Sequence, residues 1–291
     1  MNISLESTPF LNEGHISVTG GEIWYKIVGE ADKMPLLLLH GGPGAPSYYL
    51  NPLAALSVDR QVIFFDQLGC GRSDRELDKS LMTIENHIIQ VEKLCEQLNL
   101  NKFCLYSSSW GAVMAIEFYL RHPEMVSALI FSSPCLSTKQ WIDDAKQLIA
   151  LLPEEIQHTI NRCEEQHDYG SDEYQQAMQV FYDNFLSRKH PLSEDLQNTF
   201  SSMNAEIYQY MWGASEFSCT GTLNGYDRID KLSEIEVPTL FIGGEYDEAR
   251  PSTIQHFSSL VPDSQYSIAP NAGHMTIQDN SSHDIQAIKE F

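Results

Sequence analysis

Ser109, Asp247 and His274 are the residue types that together turn a hydroxyl into a nucleophile, and each stands beside a segment able to present it. Ser107-Ser108-Ser109-Trp110-Gly111 follows an apolar run ending at Tyr106 and precedes a helical pattern from Trp110. That is the strand–turn–helix setting of a nucleophile elbow, whose sharp turn tolerates only small residues two places either side of the serine. Ser107 stands where the pattern has glycine, and a Ser-rich turn capping a helix has the same composition. Leu39-His40-Gly41-Gly42-Pro43-Gly44 adds a second signal upstream. Glycines let backbone N–H groups face a substrate oxygen with no side chain in the way. The spacing points to an oxyanion hole made by the amides of Gly42 and Trp110. Asp247 then follows the apolar run Thr239 to Ile242, and His274 follows the short run Gln265 to Ile268. The order serine, acid, histidine is the one such a sheet requires. In these roles His274 takes the proton of Ser109, Asp247 holds the imidazole, and water releases the acyl group. An aspartate nucleophile is disfavoured, since the elbow carries Ser109.

The elements that must position these groups alternate along the chain. Pro35 to Leu39, Gln61 to Phe65, Phe103 to Tyr106, Ala128 to Phe131 and Thr239 to Ile242 are continuous apolar runs, which predicts strands buried on both faces. Ile84 to Leu98 is apolar at 84, 88, 91, 94, 95 and 98, one face of a helix, and Trp110 to Leu120 reads as another. His15 to Val28 reads as a hairpin turning at Gly20-Gly21. Strands alternating with helices predict an α/β fold, with a mostly parallel sheet flanked by helices. The rhythm breaks between Ser137 and Tyr226, where amphipathic helical patterns rich in acids and aromatics run on. We read the chain as a core in two parts, residues 1–136 and 227–291, with an inserted helical cap at 137–226 over the carboxyl ends of the strands.

Composition bounds the partners. The chain has 291 residues and a net charge of −22, from 18 Lys and Arg against 40 Asp and Glu. Nucleic acid and anionic membranes need a basic surface, so neither is an expected partner. No apolar run is long enough to span a bilayer, and Met1 to Phe10 lacks the basic start and apolar stretch of an export signal. The six cysteines form no C-x-x-C pair and read as reduced core thiols of a cytoplasmic protein. Among the ten histidines there is no zinc motif, and no metal or other cofactor is expected.

Taken together, these segments resemble the prolyl aminopeptidase (proline iminopeptidase) family of α/β-hydrolases, and within it the archaeal tricorn-interacting aminopeptidase branch. The resemblance spans nearly the whole chain. It rests on His40 to Gly44, on Phe65-Asp66-Gln67-Leu68-Gly69-Cys70-Gly71-Arg72-Ser73 and on the elbow. It rests further on Glu216-Phe217 with Thr220-Gly221-Thr222, and on Gly244-Glu245-Tyr246-Asp247-Glu248. Departures are Ser107 for the elbow glycine and Ala112 for the small residue after Gly111. The resemblance implies an α/β-hydrolase fold with a helical cap, and a serine aminopeptidase acting on short peptides. It implies that Glu216 and Glu248 bind the substrate's free N-terminal ammonium and that Tyr208 lies near the substrate. A charge-assisted hydrogen bond in a dry cleft reads such an end group well. Asp66, Gln67 and Arg72 are assigned to shaping the turn beside the oxyanion loop. The same triad would also serve an amino-acid amidase, an esterase or a lactonase, because the cap sets the pocket. A non-catalytic scaffold would lack a triad member, and here all three positions are filled.

Overall fold

The computed structural model describes residues 11–30 and 33–291, so the Met1 to Phe10 segment read above lies outside them. Eight strands form one sheet: β1 (Leu11–Val18), β2 (Gly21–Val28), β3 (Lys33–Leu39), β4 (Arg60–Phe65), β5 (Phe103–Ser108), β6 (Val126–Ser132), β7 (Thr239–Gly244) and β8 (Ser264–Ala269). Their order is β1-β2-β4-β3-β5-β6-β7-β8. β2 pairs antiparallel with both β1 and β4, and every other neighbouring pair is parallel. The hairpin is longer than the apolar alternation suggested. β1 starts at Leu11, because β2 offers a ladder as far as Val28 for it to pair with.

The unbroken apolar runs are explained by burial on both sides. Leu37, Leu39, Ile63, Phe65 and Leu105 join the core on one face of the sheet, under α1 (Ile84–Leu98) and α2 (Gly111–Arg121). Leu36, Leu38, Val62, Phe64 and Tyr106 join the core on the other face, with Leu50 and Leu53 of the 3-10 segment Ser47–Val58. All four leucines of Leu36 to Leu39 are fully buried. Each stabilises the fold by roughly 1.5–3 kcal/mol relative to an exposed side chain. Thr83 caps α1 by accepting the Asn86 N–H at 3.1 Å, and Asn99 ends it in the left-handed region. Of the six cysteines, all free, five are buried and Cys104 on β5 is only half-buried, a departure from the all-core expectation.

Between β6 and β7 lie five helices: α3 (Thr138–Ile149), α4 (Glu154–Gln166), α5 (Asp172–Phe185), α6 (Glu194–Ser201) and α7 (Ala205–Met211). The first three hold a core of their own, in which Phe181 packs on Phe185 and Phe217, while Leu196 of α6 and Ile207 of α7 join the cores on the two faces of the sheet. Two backbone ties bind this layer to the loops that carry the chemistry. The amides of His274 and Met275 donate to the carbonyls of Phe185 and Leu186 at 2.7 and 2.8 Å. Asn204, ahead of α7, donates its amide to Gly44 O at 2.9 Å. The chain closes with α8 (Pro251–Leu260), α9 (Thr276–Asp279) and α10 (Ser281–Glu290). Among the described residues no helix is long and apolar enough to cross a membrane.

Candidate active site

Ser109 sits between the end of β5 and the start of α2 with φ +55°, a left-handed backbone that non-glycine residues rarely adopt. Such strain persists only where the surroundings over-determine it, and here they do. The Ser109 amide donates to Ser132 O at 3.1 Å, and its carbonyl accepts from Ala112 and Cys135 at 2.9 and 3.2 Å. Gly111 has to be glycine, since a Cβ there would lie 2.4 Å from Leu39 O. Ser107 is tolerated in place of glycine because its buried hydroxyl donates to Ile130 O on β6 at 3.2 Å.

The oxyanion loop stands directly across from the elbow. A Cβ on Gly41 would come within 3.0 Å of Ser109 Cβ, and Gly42 has φ +118°. Among the described residues neither the Gly42 nor the Trp110 amide donates a hydrogen bond within the protein. Gln67 ties the two sides together. Its Nε2 donates to His40 O at 2.9 Å, and its Oε1 accepts from Trp110 Nε1 at 2.9 Å. Asp66 accepts from Ser47 and Arg72, so this motif does shape the turn under the loop.

Asp247 is fully buried and each of its oxygens accepts two hydrogen bonds. Oδ1 meets His274 Nδ1 at 2.9 Å and the Ala249 amide at 2.9 Å. Oδ2 accepts from the Ser133 hydroxyl at 2.5 Å and the Gly244 amide at 2.9 Å. Burial works against the His274 imidazolium, but the Asp247 hydrogen bond and charge, with Glu248 and Glu216 behind them, push it up to about 9. Trp141 packs its indole edge-on to the imidazole, with ring centroids 5.2 Å apart. Ser109 and His274 line the same cavity, and no hydrogen bond joins them in this structure. Such bonds often tighten only once substrate is bound.

Glu216, Glu248 and Tyr208 converge on that cavity. Tyr208 donates its hydroxyl to Glu216 Oε2, and Trp141 Nε1 donates to Glu216 Oε1 at 3.3 Å. Glu248 Oε2 is 3.9 Å from His274 Nδ1, while Glu248 Oε1 is buried without a partner. Burial, and for Glu248 the neighbouring Glu216 charge, hold both carboxyls above the usual carboxylate range. The Tyr208 and Tyr182 hydroxyls are pushed far up by burial and by the same two acids. Sequence reading passed over Ser133, Trp141 and Tyr182. Ser133 had a legible signal, the Ser132-Ser133-Pro134 step at the end of a strand. The two aromatics had none, being two among many in the helical segment.

The space around Ser109 has two compartments. The larger holds about 560 Å³ and reaches from Ser109 and His274 out to Leu192, Phe200 and Met203. The smaller holds about 20 Å³ and lies between Ser109, Trp110, Trp141, Trp212, Glu216 and Tyr226. Among the described residues no cluster of three His, Cys, Asp or Glu side chains could hold a metal ion.

Comparison with known proteins gives the family and the fold. The α/β-hydrolase fold family matches residues 34–281. A proline iminopeptidase of Heyndrickxia coagulans is 39% identical over 281 residues, covering 96% of this chain and 98% of its own. The crystal structure of VinJ superposes with a TM-score of 0.90 at 30% identity, covering 96% of this chain and 97% of that one. That of the proline iminopeptidase of Mycobacterium smegmatis superposes at 0.89 with 29% identity, over 96% and 97% of the two chains. The chain belongs to the proline iminopeptidase family of α/β-hydrolases.

Proposed function

We propose that this chain is a serine aminopeptidase that hydrolyses the N-terminal residue, proline among others, from short peptides. In this reading Ser109 Oγ attacks the first carbonyl while His274 takes its proton, and Asp247 steadies the imidazolium. The Gly42 and Trp110 amides hold the oxyanion. Both amides are free to donate, which supports that role. The C–N bond then breaks as His274 returns the proton to the leaving nitrogen, and water releases the acyl group by the same route.

One observation carries the substrate assignment. Two carboxyls, the buried Glu248 and the half-buried Glu216, face the cavity of Ser109 and His274, and Glu248 Oε1 has no partner among the described residues. An unpaired buried carboxylate is costly, and a substrate ammonium is the group that would satisfy it. A blocked amine would leave it unsatisfied.

This reading includes a helical cap over residues 137–226, between core segments 1–136 and 227–291. It also includes a cytoplasmic setting, supported by six free cysteines. Nucleic acid and membranes are not partners in it, in keeping with a net charge of −22.

The test is steady-state cleavage of proline, alanine and leucine p-nitroanilides, each with a free and an acetylated amine, with Ser109→Ala as control. Cleavage of the free-amine set alone, with nothing in the variant, is the expected result, and the ranking names the first-residue preference. Turnover of the acetylated set as well would favour the esterase or lactonase reading of the same triad.

A further inference from the structure

Of the two compartments only the large one has room for substrate, and its lining bears on what the enzyme releases. The small compartment touches Ser109, the oxyanion amide of Trp110 and Glu216, but not His274. At about 20 Å³ it has room for little more than one water, so the substrate, its amine included, lies in the large compartment, which Ser109, Glu216 and Glu248 also line. His274 lines the large compartment alone. As the acid that protonates the leaving nitrogen, it directs the leaving group into the 560 Å³ space.

That space is poorly matched to a free carboxylate. Its walls away from Ser109 are apolar, with Leu186, Leu192, Phe200, Met203 and Met275. No lysine or arginine lines it; besides Glu216, Glu248 and His274 at the catalytic end, its acidic and imidazole side chains are Asp183 and the neighbouring His190, 3.3 Å apart. The adjacent Arg188 is engaged elsewhere: its guanidinium stacks on the Tyr246 ring at 3.7 Å and donates to Asn184 O at 2.8 Å. A dipeptide released from this site would set its α-carboxylate among acids and hydrocarbon, in a chain of net charge −22.

We infer that the leaving-group side selects an uncharged, apolar amine: an amino-acid amide, or a longer peptide whose carboxylate lies beyond the mouth, over a free dipeptide. This rests on the aminopeptidase reading above and sharpens its substrate class. At an effective dielectric near 20, two like charges about 8 Å apart repel by roughly tenfold or more in affinity.

The experiment compares kcat/KM for prolyl-leucinamide, prolyl-leucine and prolyl-glycinamide in the wild type and in Asp183→Asn, with proline p-nitroanilide as reference. Prolyl-leucinamide should exceed prolyl-leucine by about tenfold or more. It should also exceed prolyl-glycinamide, because the walls are apolar. Asp183→Asn should narrow the amide-to-acid ratio about two- to fivefold at low salt, the acid being half exposed and so partly screened. The intrinsic reactivity of the substrates cannot change with that variant, so the change in ratio reads the site itself. Equal rates on amide and free dipeptide, with the reference still cleaved, would overturn the inference and leave the aminopeptidase reading standing. Loss of the reference reaction, with blocked esters still cleaved, would remove both.

Discussion

Glu248 Oε2 lies 3.9 Å from His274 Nδ1, the nitrogen that Asp247 Oδ1 already holds at 2.9 Å. The imidazole therefore faces two acids rather than one, with Glu216 across the same cavity. Burial opposes its charge, but Asp247 first and then the two glutamates push His274 up to about 9. The consequence for rate has a definite sign. His274 must be neutral to take the Ser109 proton, and a raised value keeps it protonated until the pH climbs. The acid limb of kcat/KM should then lie well above the ordinary imidazole value of about 6.5. Glu248→Gln removes one of the charges responsible and should lower that limb by about one unit. An unshifted limb would mean that Glu248 does not act on the imidazole.

Ser133 is the less conspicuous support of the triad. Its hydroxyl donates to Asp247 Oδ2 at 2.5 Å and also lies 3.0 Å from His274 O, so it touches both the acid and the histidine loop. Hydrogen bonds to charged groups contribute about 1.5–3 kcal/mol. Ser133→Ala should lower kcat about tenfold or more while KM changes little. A kcat within twofold of wild type would show that the remaining amide donors suffice to hold Asp247.

Close approach at the elbow makes a stability prediction. A Cβ on Gly111 would sit 2.4 Å from Leu39 O and 2.9 Å from Leu39 C, both backbone atoms that cannot step aside. Gly111→Ala should cost about 3 kcal/mol or more, seen as a lower denaturation midpoint in urea. Gly170→Ala is the control, since nothing lies within 4 Å of its added carbon. Equal midpoints for the two variants would contradict the packing described.

The core strands were legible because both faces of the sheet are covered, so Leu36 to Leu39 could be unbroken leucine. The elbow and the oxyanion loop were legible because their geometry restricts residue size, leaving runs of serine and glycine. The Asp247–His274 pair follows from order and strand context alone, and the structure joins the two by a hydrogen bond. What the sequence hid was which side chains of the helical layer between β6 and β7 face the site. Periodicity marks its helices as amphipathic but does not say which aromatic faces the site. Trp141 therefore stood out no more than Trp212, though of the two it is Trp141 that donates to Glu216 and packs on His274. The start of β1 was hidden for a different reason: an edge strand takes its length from its partner, not from its own pattern.

The central claim is that Glu216 and Glu248 read a free amine beside a serine nucleophile. Glu216→Gln tests it most directly, because the amide keeps the shape and can still accept from Trp141 while Tyr208 turns to accept from it, and the charge is gone. The measurement is kcat/KM for proline p-nitroanilide alongside kcat/KM for a neutral p-nitrophenyl ester that carries no amine. The account predicts a loss of about ten- to a hundredfold on the anilide, the value of a charge-assisted hydrogen bond, with the ester within about threefold of wild type. Equal losses on both substrates, or none on either, would contradict it.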